Sequence, residues 1–162
     1  MFQASKYEGT RKQRVSLLLQ QLTALIEDEP NAVANLANAS ALLAQYLDEI
    51  NWVGFYLMDP DKDELVLGPF QGLPACVRIP LGKGVCGTSA ARRETMLVPD
   101  VHEFPGHIAC DAASESEIVV PLMKDGVLLG VLDIDSPRKN RFSREDQQDL
   151  ERFVEVLAEH WR

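Results

Sequence analysis

The three cysteines are the residues of this 162-residue chain with the most reactive side chains. Cys76 precedes a glycine-rich stretch, Cys86 lies within that stretch, and Cys110 falls in a long segment without regular periodicity. A thiol can be exposed and mobile in both settings, and a helix that begins near Cys86 would help to stabilise a thiolate there. A lone cysteine is more commonly a small buried hydrophobic residue. The spacing alone therefore leaves a redox role and a packing role open.

Three acidic residues form a second candidate group: Glu117, Asp133 and Asp135. They fall at the start of one strand of a predicted hairpin and at the end of its partner, so the hairpin brings them together. Asp133 and Asp135 differ by two positions and share one face of their strand. Carboxylates that converge repel each other, which raises at least one pKa and leaves a proton donor available. Such a cluster suits binding of an ammonium group or a divalent metal, or protonation of a leaving oxygen. The alternative is a solvated strand rim, which three acids fit less well than one.

The glycine-rich stretch matches a dinucleotide-binding pattern in its letters. Residues 82–87, GKGVCG, fit G-x-G-x-x-G, follow a predicted strand and open a helix, and Asp100 lies at roughly the distance expected for a ribose-binding acid. The match occurs mid-chain, after an antiparallel meander, and no βαβ series continues from it. We therefore favour a tight strand-to-helix turn over a nucleotide site.

A zinc site is the third alternative, formed by the cysteines with His102 and His107. Tight zinc sites present paired ligands at short spacing, such as C-x2-C. The closest pairs here are His107 with Cys110 and His102 with His107, and neither completes a known arrangement. The pattern therefore does not favour a metal site.

Helical periodicity predicts the elements that must position these groups. One helix is predicted over residues 9–26 and a second over 32–47, with Asn31 as its N-cap. Ser143 begins a sequence typical of a capping box, which predicts the start of the last helix. That helix has one apolar stripe, formed by Leu150, Phe153, Val154, Leu157 and Trp161.

Strands are predicted between the helices, over residues 52–58, 64–70, 76–80 and 95–98, and in a hairpin over 117–123 and 127–135. A short helix through residue 91 follows the glycine-rich turn, and residues 99–116 are predicted to be irregular. This order predicts an α+β domain with a central, largely antiparallel sheet and the N- and C-terminal helices packed on one face. The length suits a single domain, residues 1–162.

Composition excludes several classes of partner. With 16 Lys+Arg against 25 Asp+Glu, the formal net charge is −9, so we expect neither nucleic acid nor a membrane surface as a partner. No apolar run approaches the ~20 residues of a membrane span, and the N-terminus lacks a signal-like apolar region. An odd number of cysteines fits a secreted disulfide framework poorly. We expect a cytoplasmic protein.

Four separated stretches carry a family resemblance: NWVGFY at 51–56, GKGVCG at 82–87, HEFPGHIACD at 102–111 and GVLDIDS at 130–136. Together they resemble the free methionine-(R)-sulfoxide reductases, which are stand-alone GAF-domain enzymes. The resemblance covers nearly the whole chain. It implies a GAF-like fold, one GAF domain over residues 1–162, and reduction of free L-methionine (R)-S-oxide to L-methionine.

The resemblance also assigns roles to the cysteines. The family's three cysteines fall on Cys76, Cys86 and Cys110, and Cys110 is implied to attack the sulfoxide sulfur. The resulting sulfenic acid would be resolved as a disulfide by Cys86 or Cys76. Thioredoxin is implied as the regenerating dithiol, and no metal or organic cofactor is implied.

The pocket residues of the family fall on Trp52 and Tyr56, and its acids fall on Glu117, Asp133 and Asp135. An acid with a raised pKa would protonate the leaving oxygen, the other carboxylates would hold the substrate ammonium, and the aromatic pair would enclose the S-methyl group. The expected partners are free methionine sulfoxide and thioredoxin, and a homodimer is left open. The alternative function is a sensory GAF module that binds a small ligand, such as a cyclic nucleotide, without catalysis. Because these residues contain no signalling linker, we expect the enzyme.

Overall fold

A computed structural model describes residues 2–4, 6–107 and 111–162. Within them the element order is α1 Arg11–Ile26, α2 Ala32–Tyr46, β1 Trp52–Met58, β2 Glu64–Gln71, β3 Arg78–Pro80, α3 Gly84–Arg92, β4 Met96–Val98, a 3-10 turn Val101–Glu103, β5 Ser116–Lys124, β6 Val127–Ser136 and α4 Arg144–Glu159. The predicted elements are present in the predicted order. The third strand begins two residues later than predicted, at Arg78. The Cys76 carbonyl before it accepts the Tyr56 hydroxyl at 2.9 Å.

Side-chain caps define where the long helices begin. Asn31 accepts a hydrogen bond from the Ala34 N–H at 3.0 Å, as predicted. Ser143 and Asp146 form the predicted capping box at the start of α4. A further capping box, formed by Thr10 and Gln13, starts α1. Each cap satisfies N–H groups that the first helical turn leaves without a partner.

The six strands form one antiparallel sheet in the order β3-β2-β1-β6-β5-β4. The tight turn between β5 and β6 contains Asp125 and Gly126, both with positive φ, as expected for an Asp-Gly hairpin. Its register sets Glu117 opposite Asp135 and Val119 opposite Asp133. Side chains two apart share a face, so this register carries the three acids to the same side of the sheet.

One face of the sheet packs against the long helices. The strand residues on this face are fully buried, among them Val53, Phe55, Ile118, Leu132 and Ile134. Helices α2 and α4 contact this face, and α1 packs on both helices. The prediction that the N- and C-terminal helices lie on one side is confirmed, and so is the α+β class.

The opposite face is covered by α3, which packs against β3, β4, β5 and β6. A second apolar cluster lies there and includes Tyr56, Val85, Val119 and Val131. In the part of the chain described, none of the helices combines the length and the hydropathy that a membrane crossing needs.

Candidate functional site

A cavity lies beneath α3, on the face of the sheet opposite the long helices. The non-atom space within it is about 550 Å³, including the open solvent at its mouth. Trp52 and Tyr56 of β1 line one side, and residues 73–75 and the start of α3 line another. The ends of β5 and β6 and the segment around residues 107–114 complete the described wall.

The three acids meet in this cavity, as predicted. Glu117 and Asp133 are buried, with 5% and 6% of their surfaces exposed, and Asp135 is half-buried. Glu117 hydrogen-bonds both aspartates. Burial raises the pKa of all three carboxyl groups well above their ordinary values, and the charges of neighbouring acids in the cluster raise them further. Burial therefore favours the protonated form of these groups.

The two hydrogen bonds of Glu117 shift the pKa values of the three carboxyl groups in different directions. The bond to Asp135 lowers the pKa of that aspartate and raises the pKa of Glu117. The bond to Asp133 lowers the pKa of Glu117 and raises the pKa of Asp133. Of the three, Asp135 is the most exposed, whereas Glu117 and Asp133 are buried. Asp133 Oδ1 is buried and has no hydrogen-bond partner among the described residues.

Cys86 lies in the first turn of α3, facing the acids. Its Sγ is 4.0 Å from Glu117 Oε2, and 5% of the residue is exposed. Burial, followed by the charges of Asp133 and Glu117, raises the pKa of this thiol well above its ordinary value. The expectation of an exposed thiol stabilised by a helix N-terminus is wrong for Cys86, because burial beside carboxyl groups outweighs the helix dipole.

The other two cysteines lie elsewhere in the chain. Cys76 is half-buried between β2 and β3, directly after residues 73–75 of the cavity wall, and it is disulfide-bonded. Cys86, by contrast, is a free thiol. Cys110, the predicted nucleophile, lies outside the described residues.

Trp52 and Tyr56 stack on the cavity face of β1, as their spacing predicts. Their ring centroids are 5.9 Å apart, and Phe70 stacks on Trp52 at 5.1 Å. The indole donates to the Leu73 carbonyl at 3.1 Å. Gly72 has φ +142°, and a Cβ there would lie 2.5 Å from Trp52 Cδ1. Burial raises the pKa of Tyr56, so the phenol remains a neutral donor.

The glycine-rich stretch forms the predicted strand-to-helix turn. The Gly82 N–H donates to the Gly87 carbonyl at 2.8 Å. A Cβ on Gly87 would lie 2.4 Å from the Pro80 carbonyl oxygen, so the helix can pack this closely on β3 only because the residue is glycine. The stretch thereby delivers Cys86 to the cavity.

His102 and His107, considered above as zinc ligands, contact different acidic residues. His102 Nε2 lies 3.2 Å from Glu115, whereas His107 Nε2 lies 3.7 Å from Glu117 in the cavity. Ligand atoms of Cys86, Glu117 and Asp133 do lie within 4.8 Å of one another. A metal there would have to displace protons from groups whose pKa values are raised. The expectation that no metal is required stays a prediction.

Several residues that line the cavity could not be assigned to it from the sequence. His107 was considered only as a zinc ligand, yet its imidazole lines the cavity, and burial lowers its pKa while the charge of Asp133 opposes that shift. Asp111 and Ser114 line the same wall, and Asn51 hydrogen-bonds both. Their positions in the resembling stretches, or close to them, were the available signal, because no periodicity marks a loop residue as part of a pocket.

An antiparallel sheet with long helices on one face and a ligand-sized cavity on the other defines the class of this domain. A model of the GAF domain family matches residues 13–161. The chain is 57% identical to Protein YtsP of Bacillus subtilis (strain 168) over 157 residues, which cover 97% of this chain and 96% of that protein.

The other comparisons narrow the class. The chain is 55% identical to the free methionine-R-sulfoxide reductase of Escherichia coli (strain K12) over 140 residues, 86% of this chain and 84% of that protein. The X-ray structure of free methionine-R-sulfoxide reductase from Neisseria meningitidis in complex with its substrate superposes with a TM-score of 0.91 at 44% identity, covering 98% of this chain and 95% of that one. This chain therefore belongs to the GAF domain family and, within it, to the free methionine-R-sulfoxide reductase family.

Proposed function

We propose that this protein reduces free L-methionine (R)-S-oxide to L-methionine. The observation that carries the proposal is the cluster of three carboxyl groups, whose pKa values are raised by burial, in a cavity walled by stacked aromatic rings. A sulfoxide is a weak electrophile, and its reduction needs a proton at the oxygen as sulfur is attacked. The similarity to reductases of known substrate gives independent support.

The reaction balances over two steps. The Cys110 thiolate attacks the sulfoxide sulfur while a carboxylic acid protonates the oxygen; methionine leaves, and the oxygen is transferred to Cys110 as a sulfenic acid. A second thiol then attacks the Cys110 sulfur, forming a disulfide and releasing water. Two electrons pass from the thiols to the substrate, and a dithiol reductant must return them.

We assign the resolving thiol to Cys76. Cys76 is half-buried at the edge of the cavity wall and is already disulfide-bonded, so its sulfur is able to form such a bond. Cys86 is buried, and its raised pKa disfavours the thiolate that must attack a sulfenic acid. In this proposal Cys86 lines the cavity as a neutral thiol.

The difference in burial among the acids suggests how they divide the work. Asp135, the most exposed of the three acids, would hold the substrate ammonium as a carboxylate. Glu117 and Asp133, which keep their protons, would supply the acid for the sulfoxide oxygen. Among the described residues that line the cavity, Lys83 is the sole lysine or arginine. Its ammonium group is suited to the carboxylate of a free amino acid.

The aromatic wall would hold the thioether end of the substrate. Trp52 is fixed by Phe70, Gly72 and the Leu73 carbonyl, so its indole presents a rigid apolar face. Such a face suits an S-methyl group. Thioredoxin as the reductant, a cytoplasmic location, a single domain over residues 1–162 and a homodimer are carried forward as parts of this proposal.

The test is direct. Purified protein is incubated with racemic free methionine sulfoxide and either dithiothreitol or thioredoxin with its reductase, and methionine and the residual stereoisomers are quantified. We expect methionine to accumulate while only the R isomer disappears. Ligand binding without loss of protein thiols or formation of methionine would instead favour a sensory GAF module.

A further inference from the structure

Asn51, the residue directly before β1, joins two parts of the site through hydrogen bonds. Its backbone N–H donates to the Asp135 carbonyl at 2.9 Å. Its side-chain Nδ2 donates to Asp111 Oδ2 at 2.9 Å and to Ser114 Oγ at 3.1 Å. One residue therefore ties the turn at residues 111–114 to the end of β6 that carries an acid of the cluster.

The turn at residues 111–114 is closed by its own hydrogen bonds. Asp111 Oδ1 accepts from the Ala113 N–H at 2.8 Å, and the Ser114 N–H donates to the Asp111 carbonyl at 3.2 Å. These bonds leave Asp111 Oδ2 and Ser114 Oγ to meet Asn51. The turn thus behaves as a unit whose placement depends on the carboxamide.

Asp111 directly follows Cys110 in the sequence. Asp111 also lines the cavity with Asp135, and its negative charge raises the pKa of that acid.

We propose that Asn51 is a positioning residue for the reduction: its carboxamide holds Asp111 and Ser114, which line the cavity, against the end of β6 that carries Asp135. The inference rests on the proposed function. Asn51 itself does not line the cavity among the described residues, so it acts through Asp111 and Ser114.

The chemistry requires an amide at this position. Asp111 Oδ2 is an acceptor, so only a donor can bind it, and a carboxylate at position 51 would repel it. Asn51 Oδ1 is buried without a hydrogen-bond partner among the described residues. The amide orientation is therefore fixed by what its nitrogen donates to.

The test is a double-mutant cycle with Asn51→Asp, Asp111→Asn and the double variant. Asn51→Asp sets two carboxylates against each other, and we expect kcat to fall ~10²-fold, the scale of an ångström-sized misplacement, with KM changed by less than about threefold. The double variant restores an amide–carboxylate bond with donor and acceptor exchanged. We expect it to be faster than the product of the two single effects by about tenfold or more.

Two further measurements separate positioning from a general loss of structure. The loss of kcat in Asn51→Asp relative to wild type should become smaller as the pH falls, because a protonated carboxyl group at position 51 or 111 can donate a hydrogen bond to the other. Mass spectrometry of iodoacetamide labelling at Cys110 under reducing conditions should show an altered rate in Asn51→Asp and a near-normal rate in the double variant. Asn140→Asp adds the same charge at an exposed site and should change neither quantity.

The outcomes separate the role of Asn51 from the proposed function. Additive effects in the cycle, a deficit that does not vary with pH, or unchanged labelling would overturn the role of Asn51. Wild-type protein that forms no methionine would refute the proposed function instead, and the labelling experiment would still test whether Asn51 affects the reactivity of Cys110.

Discussion

Replacing Glu117 by glutamine probes the carboxyl cluster at its centre. Glu117 hydrogen-bonds both Asp133 and Asp135, and its pKa is raised by burial and by the charge of Asp135. The amide keeps the volume, can still donate to one aspartate and accept from the other, and preserves the packing. What it removes is the transferable proton.

The size of the effect follows from that difference. Loss of a general acid costs ~10²–10⁴-fold in rate, whereas loss of a group that only shapes the cavity would leave kcat nearly unchanged. We expect kcat for Glu117→Gln to fall within that range, with a smaller change in KM because Asp135 and the aromatic wall remain. Glu115→Gln is the matched control, since Glu115 lies two residues earlier and does not line the cavity.

The same substitution makes a prediction about stability. Because the pKa of folded Glu117 lies above its unfolded value, the stability linked to this group is fully present below the unfolded pKa and is lost as the pH rises through the folded pKa. Each unit of difference is worth about 1.4 kcal/mol. The free energy of unfolding of Glu117→Gln should therefore fall less than that of wild type as the pH rises above about 4.5.

The assay combines steady-state methionine formation with urea unfolding at several pH values. A Glu117→Gln variant with wild-type kcat and a wild-type pH dependence of stability would refute both the acid role and the retained proton. A large rate loss with an unchanged stability profile would place the proton on another member of the cluster.

Three further predictions concern the thiols and the aromatic wall. Cys110→Ser should abolish methionine formation, because an alcohol is far too weak a nucleophile; a folded variant with full turnover would sink that assignment. Cys76→Ser should complete one turnover and stop at a sulfenic acid on Cys110, which dimedone traps. Cys86→Ala should still form the Cys110–Cys76 disulfide, which peptide mapping detects. The reverse pattern would make Cys86 the resolving thiol. Gly72→Ala should displace Trp52 and thereby raise KM, and the overpacking should lower the free energy of unfolding by about 1–3 kcal/mol. Gly126→Ala is the control: Gly126 also has a positive φ but has open space around it, so its substitution should leave KM unchanged.

Most of the fold follows from local patterns in the sequence. The capping boxes, the Asp-Gly turn and the alternation in β6 act over a few residues, so they can be recognised without knowledge of the tertiary structure. The alternation also predicts the acid cluster, because a hairpin with a defined turn has a defined register. That is why Glu117, Asp133 and Asp135 were found and why their mutual contact is confirmed.

What could not be predicted depends on contacts between distant segments. Cys86 occupies a helix N-terminus, which favours a thiolate, yet its environment is set by β5 and β6, more than thirty residues away in sequence. The Gly72–Trp52 contact and the hydrogen bonds of Asn51 likewise join loops whose approach no periodicity encodes. The sequence shows that the helix N-terminus favours a thiolate at Cys86, but only the tertiary packing shows that burial beside the acids outweighs it.

The burial of Cys86 and the retained protons have a common physical origin. The hairpin buries two carboxyl groups and half-buries the third, and α3 covers them with a thiol instead of a cation. A basic side chain at position 86 would ionise the acids and remove the proton donor, whereas a neutral thiol leaves their pKa values high. The one lysine among the described lining residues, Lys83, is exposed and outside the acid cluster. The cavity can thus offer a proton at its base and a cation near its wall, which is the charge pattern that a zwitterionic sulfoxide requires.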